Sequence, residues 1–167
     1  MTRRWAAAGS ALFFALAPGV VAGLVPWWLT GWRFATPSPQ WTLVRPLGAI
    51  LTLMAACVLI SAFARFVIEG VGTPAPLAPP QHLVVGGLYR FVRNPMYLSV
   101  TAAIVGQGLL LGQTSLFVYA LIVALLFFAF VRLYEEPDLA QRFGVEYEAY
   151  RLAVPAWWPR LRPWKPS

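Results

Sequence analysis

Two polar clusters interrupt an otherwise apolar chain. The first, LVVGGLYRFVRNPMY at 83–97, sets two arginines and an Asn-Pro step against the start of a hydrophobic run. The second, RLYEEPD at 132–138, follows the next such run. A single apolar hairpin lies between them, so both clusters return to one face of the fold. Residues of these types recognise small charged groups: guanidinium groups suit an anion, while carboxylates and tyrosine rings suit a cation.

Within the first cluster, Arg90 and Arg93 are three apart and share a face if the segment is helical. The plain reading of such arginines is anchoring at a membrane surface. Asn94 is placed to cap the following helix, and Pro95 fits its first turn because it has no amide proton to satisfy. Tyr89 and Tyr97 read either as interfacial aromatics or as rings lining a pocket for a cation. In the second cluster, Glu135-Glu136-Pro137 is expected to end the preceding apolar helix. Acids at a helix C-terminus oppose its dipole, so Glu135 and Glu136 call for arginine partners or a bound cation.

The elements that hold these residues are apolar helices. Hydrophobic residues make up 59% of the chain and charged residues only 11%, with a mean hydropathy of +0.66. Soluble domains carry about twice that charge fraction. Four apolar runs stand at 6–29, 47–67, 97–111 and 115–131, the last two joined by Gly112-Gln113-Thr114. Crossing about 30 Å of hydrocarbon takes roughly 20 helical residues. The expected fold is therefore an all-α polytopic membrane bundle with four transmembrane segments, the third reaching that length only with its flanks in the headgroups. Arg3-Arg4 before the first run also fits a signal peptide. The run continues past any small-residue cleavage site into Pro26-Trp27-Trp28, which favours a membrane helix. Gly19 and Gly23 have the spacing of a close helix contact. After Pro137, residues Leu139, Phe143, Tyr147 and Tyr150 form an apolar stripe, which predicts a C-terminal interfacial helix. An extended aromatic tail follows at 155–159.

Charge orients this bundle. With four spans, Arg33 and Arg45 fall on one side, while Arg3, Arg4, Arg65, Arg90, Arg93, Arg132, Arg142, Arg151, Arg160, Arg162 and Lys165 fall on the other. Both termini are thus expected in the cytoplasm. A multi-pass protein of a bacterial inner membrane fits the compact form. The basic residues bracket apolar runs and form no separate patch, which argues against nucleic acid as a partner. One cysteine, Cys57, and one histidine, His82, assemble neither a disulfide nor a metal site. Between the second and third runs, Gly72–Pro76 and Pro79-Pro80 predict a stiff linker, and Gly86-Gly87 a tight turn. The linker is either a spacer or a cover that supplies backbone groups to a pocket.

From about Gly72 to Pro159 the chain resembles the integral-membrane isoprenylcysteine carboxyl methyltransferases and related phospholipid methyltransferases. The resemblance rests on LVVGGLYRFVRNPMY at 83–97, EEPDL at 135–139 and FGVEYEAYRLAVP at 143–155, in that order. It implies a single methyltransferase-like domain over 1–167, whose portion at 72–159 carries the cofactor and the chemistry. It further implies S-adenosyl-L-methionine as cofactor and a membrane-partitioned, lipid-like acceptor. In that reading Leu83, Val84, Gly87, Tyr89, Arg93, Asn94, Tyr97, Gly106, Gly108, Tyr134, Glu135 and Glu136 bind the cofactor. Tyr97, Arg132, Glu136 and Arg151 serve the transfer, with an arginine orienting an acidic acceptor. Gly106-Gln107-Gly108 is similar to the Gly-x-Gly element of the phospholipid enzymes.

Asn94 departs from the pattern, which usually carries histidine there. Asn keeps a hydrogen-bond donor and acceptor but cannot act as a neutral-pH base. Ser99 likewise stands where glycine is common. The resemblance favours an isoprenylcysteine-methyltransferase-like reaction, with phospholipid amine methylation as the alternative. Read without the resemblance, the same residues also suit a non-enzymatic assembly or transport protein.

Overall fold

The computed structural model describes residues 17–70 and 82–165 and is all-α among them. Five helices follow in order: α1 (Ala17–Thr30), α2 (Trp41–Gly70), α3 (Pro95–Leu111), α4 (Ser115–Phe130) and α5 (Glu136–Ala153). A 3₁₀ turn, Gly87–Arg90, precedes α3, and a π turn, Val131–Glu135, joins α4 to α5. The proline-rich linker at 72–80 and the start of the first apolar run lie outside the described residues.

The expectation of four membrane spans is corrected to two. Among the described residues, only α2 over Trp41–Phe66 and the continuous rod Ser115–Ala153 are long and apolar enough to cross a membrane. At about 1.5 Å per residue, the 17 residues of α3 reach about 25 Å, short of the hydrocarbon thickness. Each shorter helix is stopped by a glycine in left-handed geometry, Gly31 at φ 57° after α1 and Gly112 at φ 71° after α3. Only glycine adopts that conformation without a Cβ clash.

Helix α3 is instead an inner helix, packed along α2 with their backbones in near contact. A Cβ on Gly48 would strike the backbone of Gly106 and Leu110, and one on Gly106 would strike Thr52. Small residues permit this approach where burial alone gives helices in lipid little reason to associate. On the other side α3 meets α4 through a cluster of Val100, Ile104, Leu111, Leu116, Ala120 and Val123, with Leu59 of α2 completing it.

Helix α1 is attached through hydrogen bonds. It carries a π turn at Val20–Leu24, whose carbonyls take outside donors. Gln107 Nε2 donates to the Ala22 carbonyl at 2.7 Å, and Tyr119 Oη donates to that of Val21 at 2.9 Å. Gly19 and Gly23 have nothing near the position of a Cβ, so the expected close packing there is not made. At the same end of the molecule, Ala35 N and Trp41 Nε1 donate to the last carbonyls of α3, at Leu111 and Leu109. These carbonyls lack helical partners.

Outward faces are strongly apolar. Leu43, Leu47, Leu53 and Met54 of α2 and Val118, Leu121, Leu125 and Leu126 of α4 are all exposed. Apolar surface on this scale is what helices present to lipid.

The acidic pair does not end a helix, as had been expected from Pro137. Glu136 N donates to the Val131 carbonyl, the π-turn spacing, and the helix then runs on as α5. Pro137 has no amide proton to give the Leu133 carbonyl, so an ordinary turn there would lack a bond in any case. Helix α5 bends at Gly144, at φ 50° and ψ −120°. Its stripe of Leu139, Phe143, Tyr147 and Tyr150 packs on Leu83, Val85, Val154 and Trp164. Protein therefore covers the face that was expected to lie on the membrane.

Candidate functional site

The two clusters meet where α3 begins and the α4–α5 rod passes through its π turn. They enclose a pocket whose walls include Leu83, Val84, Tyr89, Arg93, Asn94, Tyr97, Phe130, Tyr134, Glu135, Glu136, Tyr147 and Tyr150. Nine of these, Leu83, Val84, Tyr89, Arg93, Asn94, Tyr97, Tyr134, Glu135 and Glu136, are residues the sequence singled out.

The glutamates, adjacent in sequence, have separate surroundings. Glu136 is buried and both its oxygens are engaged. Oε1 accepts from Arg93 Nη1 at 2.8 Å and Oε2 from Arg132 Nη1 at 2.9 Å. Arg93 also donates to Tyr147 Oη at 2.9 Å and, through Nε, to the Val154 carbonyl at 2.9 Å. The side chains of Arg93 and Glu136 are both largely buried and each has the other as partner, which offsets the cost of removing them from water, while Arg132 reaches Glu136 from the surface.

Glu135 faces the pocket and pairs with no arginine among the described residues. Its Oε2 accepts from Tyr97 Oη at 2.8 Å. Burial, reinforced by the negative charge of Glu135, holds the Tyr97 phenol well above its ordinary range. The hydroxyl therefore remains a donor. Tyr89 is raised in the same way, by burial first and Glu135 second. Rings continue from Tyr97 outward: it packs on Phe127 with centroids 4.7 Å apart and on Phe130 at 6.5 Å, and Phe130 packs on Tyr134 at 5.2 Å.

Arg142, at the rim, is paired with Asp138 at 2.8 Å. Among the pocket walls, Arg93 pairs with Glu136 and Arg142 with Asp138, which leaves Glu135 as the carboxylate without an arginine. The pocket is thus suited to a cation, and the unpaired charge is that of Glu135.

Asn94 sits before Pro95 as expected but makes no side-chain cap. Its Nδ2 donates to the Ala156 carbonyl at 3.2 Å instead. Arg90 likewise turns to the tail, donating to the Trp164 carbonyl at 2.6 Å. Five of the sequence candidates lie away from the pocket walls. Gly87, at φ 56°, fits against Arg65 of α2. Gly106 and Gly108 sit along α3 against Thr52 and Phe117, where they let helices approach. Arg151 is exposed and paired with Glu148 at 3.0 Å. Arg132 is reached only through Glu136.

Sequence reasoning missed Tyr147 and Tyr150 as pocket residues, having read them as a lipid-facing stripe. Tyr150 Oη donates to the Tyr89 carbonyl at 2.7 Å, which fixes the 3₁₀ turn against α5. Their hydroxyls on an apolar stripe were the available signal. Glu69 was also missed: its Oε2 accepts from Gly86 N at 2.9 Å, tying the segment before the pocket to α2.

A second, almost wholly apolar groove runs between α3 and α4, lined by Tyr97, Leu98, Thr101, Ala124, Leu125, Phe127, Phe128 and Trp157. Tyr97 is a wall of both cavities.

Compared with known proteins, the chain matches the phospholipid methyltransferase family over residues 43–146, more than half of its 167 residues. No curated protein matches it, and no solved structure does.

Proposed function

The chain belongs to the phospholipid methyltransferase family, whose members use S-adenosylmethionine, and on that premise we propose that it methylates the amine of a membrane-partitioned amphiphile. The observation that carries this reading is the charge state of the pocket. Each arginine in its wall is already paired with a carboxylate, and Glu135 is the group left over. An acceptor carboxylate would find no unpaired cation there. A headgroup amine needs no such cation: once its proton has passed to water it reacts as the free base, beside aromatic walls. This favours the phospholipid-type reaction over the isoprenylcysteine-type one, in agreement with the family matched.

The same walls fit the cofactor. When bound, S-adenosylmethionine supplies an electrophilic methyl group on a cationic sulfur. The rings of Tyr89, Tyr97 and Tyr134 suit that cation, Glu135 suits the α-amino group, and Leu83 and Val84 suit the adenosine. Arg93, Arg132, Tyr147 and Glu136 act on this site by holding its frame. Tyr97 keeps the Glu135 carboxylate aimed inward and, through its ring, forms the boundary with the apolar groove. Orientation and exclusion of water are then the protein's main contributions to rate. The basic residues around the pocket support a cytoplasmic position for it by the positive-inside rule.

The test is turnover in nanodiscs containing phosphatidylethanolamine, read by mass as stepwise gain of methyl groups on the amine. Transfer to a prenylcysteine carboxylate, with none to the amine, would overturn the proposal.

A further inference from the structure

Three consecutive residues of the C-terminal tail hold the polar side of the site, and the fourth stands in the apolar groove. The Val154 carbonyl accepts from Arg93 Nε and the Pro155 carbonyl from Arg93 N, both at 2.9 Å. The Ala156 carbonyl accepts from Asn94 Nδ2 at 3.2 Å. Trp157 follows, lining the groove and packing on Phe128 of α4 with centroids 5.9 Å apart. Farther along, Arg160 N donates to the Phe91 carbonyl and Trp164 N to that of Arg90, each at 2.9 Å. The tail thus runs back alongside 90–94, bonded to it at several points. All of it lies beyond the family match, which ends at residue 146.

The groove itself is built for hydrocarbon. Its two polar residues direct their hydroxyls elsewhere: Thr101 Oγ1 donates to the Tyr97 carbonyl at 3.0 Å, and Tyr97 Oη donates to Glu135. From Tyr97 to Thr101 the groove follows one turn of α3, about 6 Å, leading away from Glu135.

We propose that Val154–Trp157 is a register strap and that Trp157 is its specificity-determining side chain, packing against the acceptor's hydrocarbon chain beside the headgroup. Because the strap is held at three successive carbonyls, Trp157 cannot slide without releasing Arg93 or Asn94. One piece of backbone therefore sets the acceptor's chain in line with the polar pocket. This rests on the amphiphile reading above, though not on the headgroup being an amine.

The experiment is photolabelling in nanodiscs with a lysophosphatidylethanolamine carrying a diazirine near the headgroup end of its chain. A lysophosphatidylmethanol with the same chain serves as the amine-free probe. We expect saturable labelling of the segments containing Thr101, Leu125 and Trp157. Labelling should fall several-fold in Trp157→Ala and in the groove-filling Leu125→Trp, and recover in Trp157→Phe, with S-adenosylmethionine affinity unchanged. Turnover should show the same pattern as a raised KM at similar kcat. Labelling that does not saturate, spreads evenly to Leu121 and Leu126, or ignores both groove variants overturns the strap. Saturable groove labelling without methyl transfer to any amine would leave the strap standing and remove the amine reading.

Discussion

Glu135 and Glu136 differ by one position in sequence and by their whole electrostatic setting. Glu136 has two arginines and is buried, so its loss leaves Arg93 without its carboxylate partner. Breaking a buried pair from one side costs about 3 kcal/mol. Glu136→Ala should therefore lower the thermal midpoint by several degrees. Glu135 has only the Tyr97 hydroxyl, and its charge serves the pocket. Glu135→Gln should keep the midpoint within about 1 °C, since the amide still accepts from Tyr97 and no ion pair is lost. It should weaken S-adenosylmethionine binding at least tenfold, about 1.4 kcal/mol, measured by calorimetry in detergent. Equal loss of binding in both variants, at equal stability, would erase the distinction drawn between the two carboxylates.

At the scale of elements, the site depends on how closely α3 lies on α2. That spacing is set at Gly48 and Gly106, where any side chain would meet backbone of the facing helix. Overpacking such a contact costs about 1–3 kcal/mol. Gly106→Val should reduce stability by that amount and displace the start of α3, which carries Asn94 and Tyr97 into the pocket. A drop in thermal midpoint with reduced cofactor affinity is the expected result. Reduced affinity at unaltered stability would instead mean that Gly106 touches the cofactor directly. The π turn Val131–Glu135 is the other decisive element. It adds one residue to the turn, so Glu135 meets Tyr97 while Glu136 meets Arg93. Pro137 makes the irregular turn inexpensive, because the hydrogen bond it forgoes was unavailable.

At the scale of the molecule, two helices among the described residues are long and apolar enough to cross a membrane, with α3 held between them and the paired clusters at one end. Cys57, the single cysteine, tests this arrangement because it is exposed near the middle of α2. In sealed vesicles a charged maleimide should fail to modify it from either side, while a small apolar maleimide reacts. Rapid labelling by the charged reagent would show that this face of α2 meets water.

The amino-acid sequence by itself determined the all-α class, the lipid-facing composition and the two clusters, because hydrophobic runs and charge placement are local properties of the chain. It also singled out Tyr89, Arg93, Asn94, Tyr97, Glu135 and Glu136 by residue type, and the fold brings them to one pocket. The number of spans was misjudged because hydrophobicity alone cannot distinguish a helix surrounded by lipid from one surrounded by other helices. Only the tertiary structure decided that α3 is internal, that Tyr147 and Tyr150 turn inward, and that Arg93 is committed to Glu136. These outcomes depend on which partner fills each hydrogen bond across 40 to 60 residues of chain, and no pattern within a single helix encodes them.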